Sequence, residues 1–511
     1  MDSDEHDVAA VMAAYRKEQL TAHLIGPVLS TVMHIVGFVL MLILLVFPAK
    51  KDKPAAEVTQ IIEVEADPIP PKMPEEVVDP ETAEDVSPVV TSIAQPDAET
   101  DDSSVEDASD ETAETADELP DQTVAVEKMF NSPVAMKMLG GRTAAGRKAS
   151  STQFGGDKVT LNSAMKALLW LKKQQNPNGS WGKGRQAGYT AQVILFFLAH
   201  GETPTSKVFG STVEKGIKWL MKYANTPRIL NADGGHGYDK GMVTYALAEA
   251  SSLIAIPALK EAMEKALASC ISSQLPNGGY KPKTYKADIS IQGWYMQALK
   301  AGYMAGSTNP KLKDSLKQAV KYVKSQAYAK GGATLNSFKY NKSSIGHGGK
   351  PDESVGMRAV GALALVLLGE KNSKEARGAT DYIVNKDIKR FKWGEKSYRH
   401  VLYTWYYQTQ VAFFKKGTAW RRWNKVFKKV ITKNQFKDGH WESFGEAERI
   451  GAPQHRTPLD AKIYATAMCG LMLTVYYRYL PNVHVDLNEK KQDARPDENI
   501  DDEDAGGLVI E

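Results

Sequence analysis

The chain has 511 residues, 42% hydrophobic and 24% charged, a globular composition long enough for about three domains. Its 2 cysteines, Cys270 and Cys469, exclude a disulfide-rich scaffold and a Cys-rich zinc module. The net charge of +3 conceals an acidic arm (residues 1–150, 11 basic and 29 acidic side chains), a basic body (151–480, 50 and 22) and an acidic tail (481–511, 3 and 10), so the body invites an anionic partner or its own acidic segments.

After a polar N-terminal segment, 1–23, an apolar run without formal charge extends from Leu24 to Phe47. At ~1.5 Å per residue it is long enough for the ~30 Å hydrocarbon layer. It predicts a single-pass transmembrane helix over 24–48, because the preceding segment is long and Phe47-Pro48-Ala49 is no small-x-small cleavage site. Lys50, Lys51 and Lys53 against Arg16 and Lys17 weakly favour the C-terminal side in the cytoplasm. Ser30 and His34 lie one helical turn apart inside the span, where an ionisable group points to function, although packing of His34 on Ser30 or a dimer partner serves equally. The stretch Val28–Gly37, followed by Glu57–Glu65 and by Pro68, Pro70, Pro71, Pro74 and Pro80, resembles the N-terminal anchor of TonB-type energy transducers. That resemblance implies a bacterial inner-membrane protein with a periplasmic body, coupled through His34 to a proton-driven motor complex. The rest of the chain does not resemble a TonB receptor-binding domain.

Residues 49–127 are acidic, contain Pro and are poor in aromatics, which predicts a disordered tether. A basic, Gly-rich lead-in follows over 128–156, with Gly140-Gly141-Arg142 and Gly146-Arg147-Lys148 placed to wrap the body's edge. The body is 157–481, and 482–511 is an acidic disordered tail in which Asp501–Asp504 is a solvated charge run.

Within the body, apolar periodicity predicts six helix pairs. The first helices run about 161–175, 208–224, 257–274, 310–327, 375–386 and 419–435. The second run about 189–201, 240–252, 289–305, 353–369, 399–416 and 460–479. The first set is amphipathic and Lys-rich, as in Leu312–Val323. The second is apolar over more of its circumference, as in Ser354–Leu368. One polar face places a helix outside, and its absence places a helix inside. The expected fold is therefore all-α, an (α/α)6 toroid preceded by a transmembrane helix and a long disordered acidic linker, with a hollow centre reached from one rim.

Three turns share one spacing: Gln175-x-x-x-Gly179-x-Trp181, Gln274-x-x-x-Gly278-x-Tyr280 and Gln435-x-x-x-Gly439-x-Trp441. The ring residue is expected to plug the gap between pairs, the Gly to permit the turn, and the Gln amide to satisfy open backbone groups at a neighbouring helix end. These motifs, with Trp405-Tyr-Tyr-Gln-Thr-Gln410 and Tyr464–Pro481, resemble the squalene/terpene cyclase and protein prenyltransferase superfamily, in particular its bacterial membrane-anchored, squalene-cyclase-like members. The resemblance implies an apolar or isoprenoid ligand bound or transformed by the toroid. Two departures weaken the implied activity. No Asp-x-Asp-Asp cluster lies in 151–480, and neither cysteine has an Asp two residues before it, as the family's zinc site requires.

No metal or other cofactor is expected, and no nucleic-acid module is present. Polar residues at the starts of the inner helices converge on one mouth of such a ring. Asp288, Asp352, His400 and Asp460 are the candidate acid/base groups, although each Asp is equally an N-cap. Trp294, Trp405, Tyr406, Tyr464, His236, His347 and Arg456 are the candidate ligand-binding residues, with Tyr403 beside them; the aromatics suit either cations or an ordinary core. Two further readings stay open. One is a non-enzymatic TonB-like tether whose basic toroid binds an anionic partner. The other is a lyase or hydrolase of acidic polysaccharides, by analogy of fold.

Overall fold

A computed structural model describes residues 141–231, 237–281, 287–341, 354–452 and 455–478. The expected anchor, linker and acidic tail lie outside these residues, as do Ser30, His34, His236, His347 and Asp352. Among the described residues no helix is long and apolar enough to cross a membrane.

A lead-in helix, α1 (Ala144–Gln153), precedes paired helices. In chain order these are α2 (Lys158–Lys173) with α3 (Gln186–His200), α4 (Gly210–Ala224), the short α5 (Pro227–Leu230) and α6 (Gly237–Leu253), then α7 (Pro257–Ser272) with α8 (Ile289–Met304). The remaining pairs are α9 (Leu312–Ser325) with α10 (Ser354–Leu367), α11 (Lys374–Asn385) with α12 (Val401–Lys415), and α13 (Gly417–Lys433) with α14 (Pro458–Leu473). Each of the twelve helices predicted for the body is present with ends shifted by up to six residues. Helices α1 and α5 and a two-stranded antiparallel hairpin, β1 (Ala327–Tyr328) and β2 (Ser337–Phe338), are additions that helical periodicity did not predict.

The apolar helices form a closed inner ring. α3 packs on α6, α6 on α8, α8 on α10, α10 on α12, α12 on α14, and α14 returns to α3. Sequence pattern explains which helices sit inside. In α3 every residue from Ala187 to His200 is buried, and in α12 every residue from Val401 to Phe414. Outer helix α13 buries only Trp420, Trp423, Asn424, Phe427 and Ile431, one stripe of its surface.

The expected hollow centre is not found. Inner-helix side chains have almost no exposure, and they meet across the ring. Gln297 of α8 donates to the Tyr407 hydroxyl of α12 at 3.2 Å, although these helices are not ring neighbours. A Cβ on Gly293 would meet Val360 of α10 and Tyr407 together. Six helices of this width leave a space that tyrosine and glutamine side chains span, so the axis is packed rather than open.

The three Gln-x-x-x-Gly turns close alike. Gln175 Nε2 donates to the Gly179 and Thr212 carbonyls (both 2.9 Å), Gln274 to Gly278 and Ser315 (3.0 and 2.9 Å), and Gln435 to Gly439 and Ser163 (2.8 and 2.9 Å). The second acceptor always lies within the first two turns of the next outer helix. The Gln therefore does not cap an open helix end; it uses the second lone pair of a carbonyl near the start of its neighbour. The tryptophan rings add a second donor to carbonyls that already accept from the Gln174 and Asn434 amides. Trp181 Nε1 donates to Leu171 (2.7 Å) and Trp441 Nε1 to Ile431 (2.9 Å), both in the last turn of the preceding outer helix. Tyr280 bonds the Ser315 hydroxyl at 3.2 Å. Because Ser163 belongs to α2, Gln435 joins the last pair to the first.

Of the lead-in, 141–156 is described, and its end lies on α13, where Phe154 and Gly155 accept from Trp420 Nε1 (2.8 Å) and Asn424 Nδ2 (2.7 Å). Arg142 is 1% exposed and enters the end of the ring opposite the inner-helix starts. Its guanidinium donates to Glu249 Oε2 of α6 (3.3 Å), the Leu198 carbonyl of α3 (3.1 Å) and the Arg478 carbonyl (3.0 Å). Arg478 in turn donates to the Tyr245 hydroxyl at 3.2 Å. That end is closed by a charged plug built from both ends of the body.

Candidate functional site

The opposite end is built from the starts of the inner helices. At the start of α8, Asp288 is an N-cap, accepting from the Ile291 amide (2.8 Å) and the Ser290 hydroxyl (2.6 Å). Ser290 also bonds the Tyr238 hydroxyl of α6 at 2.7 Å. Burial raises the Asp288 pKa to about 6, against the opposing pull of these donors and of Tyr340.

At the start of α12 the cap comes from elsewhere in the chain. Glu448, fully buried in the loop before α14, accepts from the Leu402 amide (2.9 Å), the Tyr403 amide (3.0 Å) and the Tyr464 hydroxyl (2.8 Å). Helix-start amides favour its anion, yet burial prevails and raises its pKa to about 7. Beside it, His455 holds the Tyr189 hydroxyl at 2.8 Å through Nδ1, and its ring lies 5.5 Å from that of Tyr464. Burial is the largest influence on His455 and lowers its pKa to about 4, so it is neutral at physiological pH.

Tyr403 joins these two groups. Its amide is on Glu448, while its side chain is buried with no hydrogen-bond partner for the hydroxyl among the described residues. Burial drives the Tyr403 pKa well above the phenol range, and Tyr407, Asp288, Tyr340 and Tyr464 add to the rise. Those neighbours come from α12 itself, the start of α8, the segment after β2 and α14, and Tyr238 of α6 also senses Tyr403. Only a position near the ring's axis faces so many walls. The mouth is thus a buried cluster of tyrosines between two carboxyls whose pKa values burial raises above the ordinary range, Glu448 to about 7 and Asp288 to about 6, with a neutral histidine at its edge.

The other candidates fall in different places. Asp460 is spent structurally: it forms a capping box with Thr457 and accepts from the Lys183 and Gly184 amides (2.8 and 3.1 Å), which fastens the loop before α3. With its lone pairs held by backbone amides it is a clamp rather than an acid or base. His400 is half-buried at the α12 start, edge-on to Tyr403 with ring centroids 6.4 Å apart. Arg456 is exposed and lies over Gly184, outside the tyrosine cluster. Trp405 faces away from the axis, stacked on Phe391 at 4.1 Å and donating to the Tyr398 hydroxyl at 2.8 Å. Trp294 is buried against Gly241, filling the α6–α8 seam, and Tyr406 is buried edge-on to Tyr407 at 5.3 Å. Tyr464, Asp288 and His400 are therefore the sequence candidates that the structure brings to Tyr403. Glu448 and His455 were missed. Glu446 and Glu448 look alike in an aperiodic stretch, and only the fold exposes one and buries the other.

The pKa values carry a pH dependence with a definite sign. Glu448 holds its proton more tightly in the folded chain, so it contributes stability below the ordinary carboxylate range that is lost as pH rises through about 7. His455 and His200, both lowered to about 4 mainly by burial, act oppositely: their contribution is full above ~6.5 and lost as pH falls through about 4. Glu448→Gln removes only the first trend. Its urea midpoint is expected to rise more steeply with pH between about 4 and 6.5 than that of the wild type. Parallel profiles would show that Glu448 titrates as an ordinary carboxyl.

No family model and no curated protein matches the chain. Among solved structures it is similar to forms of the type II terpene cyclase MstE from Scytonema. An arginine-to-alanine form with geranylgeranyl dihydroxybenzoate aligns at 12% identity over 63% of this chain and 98% of that chain, TM-score 0.42. An aspartate-to-asparagine form with the same substrate aligns at 13% over 63% and 98%, TM-score 0.41. An aspartate-to-alanine form with merosterolic acid A aligns at 15% over 62% and 96%, TM-score 0.39. At these identities and scores the likeness assigns neither family nor activity.

Proposed function

We propose that the chain is a membrane-anchored helical toroid that binds an apolar, isoprenoid-like molecule at the tyrosine-lined mouth, with its polar end on Tyr403. The observation that carries this reading is the Tyr403 hydroxyl, buried among rings near the axis and without a partner among the described residues. Buried hydroxyls are nearly always satisfied, so such a group is suited to a ligand's hydrogen bond. Glu448, whose pKa is raised to about 7, is the group able to give a proton to a bound molecule near neutral pH, and Asp288, raised to about 6, does so only below that. Because the axis below is packed, the ligand sits at the mouth rather than threading a channel.

The test uses the full chain in detergent and geranylgeraniol as probe, with affinity read by tryptophan fluorescence. Tyr403→Phe keeps the ring and removes one hydrogen bond, so Kd is expected to rise about tenfold with an unchanged melting midpoint. Saturable binding that Tyr403→Phe leaves unaltered would remove the proposed contact, and absence of saturable binding would remove the isoprenoid reading.

A further inference from the structure

The outer helix α13 differs electrically from the outer helices α4, α7, α9 and α11. In α4, Glu214 pairs with Lys218 at 2.9 Å; in α7, Glu261 pairs with Lys265 at 2.6 Å and Glu264 with Lys260 at 3.5 Å. On α9, Lys324 reaches Glu370 at 2.7 Å, and Asp381 of α11 holds Lys415 at 3.1 Å. From Gly417 to Lys437 there is no acidic residue.

Arg421, Lys425, Lys429, Lys433 and Lys437 recur at every fourth position, all are exposed, and none makes an ion pair among the described residues. A four-residue step drifts only ~40° around a helix. The four that lie within α13 therefore occupy one face, opposite the Trp420, Trp423, Phe427 and Ile431 stripe that holds α13 to the ring. Like charges at this spacing repel one another. At the end of the row Phe436 is 48% exposed, and Val159, on the adjoining turn of α2 where Lys428 binds Asp157 at 2.9 Å, is 57% exposed. A cationic row bounded by exposed apolar side chains fits a surface that is anionic above and apolar beneath.

We infer that the outward face of α13, from Arg421 to Lys437, docks on an anionic membrane surface, the cations on lipid headgroups and Phe436 in the interface. Charge attraction of this kind decays within a Debye length, and aromatic side chains favour the headgroup level. A soluble polyanion would satisfy the lysines but leave Phe436 and Val159 exposed. The inference is independent of the mouth and stands whether or not an isoprenoid binds there.

The experiment reconstitutes the full chain in vesicles of neutral phosphatidylcholine and in vesicles with about one third phosphatidylglycerol. An amine-acetylating reagent is applied, and labelling is read residue by residue by mass spectrometry. Labelling of Lys425, Lys429, Lys433 and Lys437 is expected to fall about fivefold or more in the anionic vesicles, and to recover in high salt. Lys265, on the outer helix across the ring, is expected to stay constant. Phe436→Ser is expected to lessen the protection; because Phe436 is 48% exposed with its ring stacked on His440, an unchanged melting midpoint is checked alongside. Equal labelling in both vesicle types would overturn the inference. So would stronger protection by soluble polyphosphate than by vesicles, which would assign the row to a polymer. Salt-sensitive protection already complete in neutral vesicles would assign it to the chain's own acidic segments and would equally overturn it.

Discussion

Replacing Glu249 with Leu is expected to lower the unfolding free energy by ~3–5 kcal/mol, the usual cost of leaving a buried charge without its partner. Arg142 and Glu249 are each about 1% exposed, and Arg478, equally buried, adds a second guanidinium to the same plug. Burial is the largest influence on Arg142 and lowers its pKa, while Glu249 is the leading influence that sustains its charge. Without that carboxylate, two guanidinium groups remain in one desolvated space, and Tyr245 loses an acceptor at 3.4 Å. The urea midpoint should drop with little change in slope. The double variant Arg142→Met with Glu249→Leu should recover most of the loss, because matched apolar replacement of a buried pair is close to neutral. A single-variant cost under about 1 kcal/mol would mean that the plug is solvated like a surface pair.

Gly439→Ala is the second large effect. Gly439 has φ 107°, and a Cβ there would run into the Lys166 carbonyl of α2. The conformation alone costs ~1–2 kcal/mol for a residue with a side chain. The collision adds to it, because it opens the seam where Gln435 reaches Ser163 and where the last helix pair meets the first. A total of ~3 kcal/mol is expected, read from urea or thermal midpoints. Gly394 is the control: φ is 84°, and a Cβ would meet nothing within 4 Å. Gly394→Ala should therefore show the conformational cost alone. Equal losses at both positions would mean that the close approach across the ring seam contributes nothing.

Much of the fold was legible because its causes are local and repeated. The difference between Leu312–Val323, with one polar face, and Val401–Phe414, with almost none, places one helix outside and the other inside. The Gln-x-x-x-Gly turns were visible as spacing, though their partners were not, since Gln435 meets Ser163 only after 272 residues of chain. The filled axis was illegible for a related reason. Periodicity says which helices face inward, but the Gln297–Tyr407 contact depends on how far apart six helices stand. The candidate site was half legible. Asp288 could be placed at a helix start and Tyr464 on an inner helix, but a helix-start Asp reads the same whether it meets an axis or a loop, and Asp460 proved to hold a loop. Glu448 and His455 lie in irregular chain, where no pattern separates a buried carboxyl from a solvated one.

The central claim is that the mouth around Tyr403, not a channel along the axis, is the working part of the body. It is tested most directly by photolabelling the full chain with a geranylgeranyl probe carrying a diazirine at its polar end and mapping the adducts. The account expects adducts confined to Tyr403, Tyr464, Tyr189 and their immediate neighbours, lost on competition with unlabelled geranylgeraniol. Adducts on Leu195, Ala246 or Gln297, deep in the ring, would contradict it.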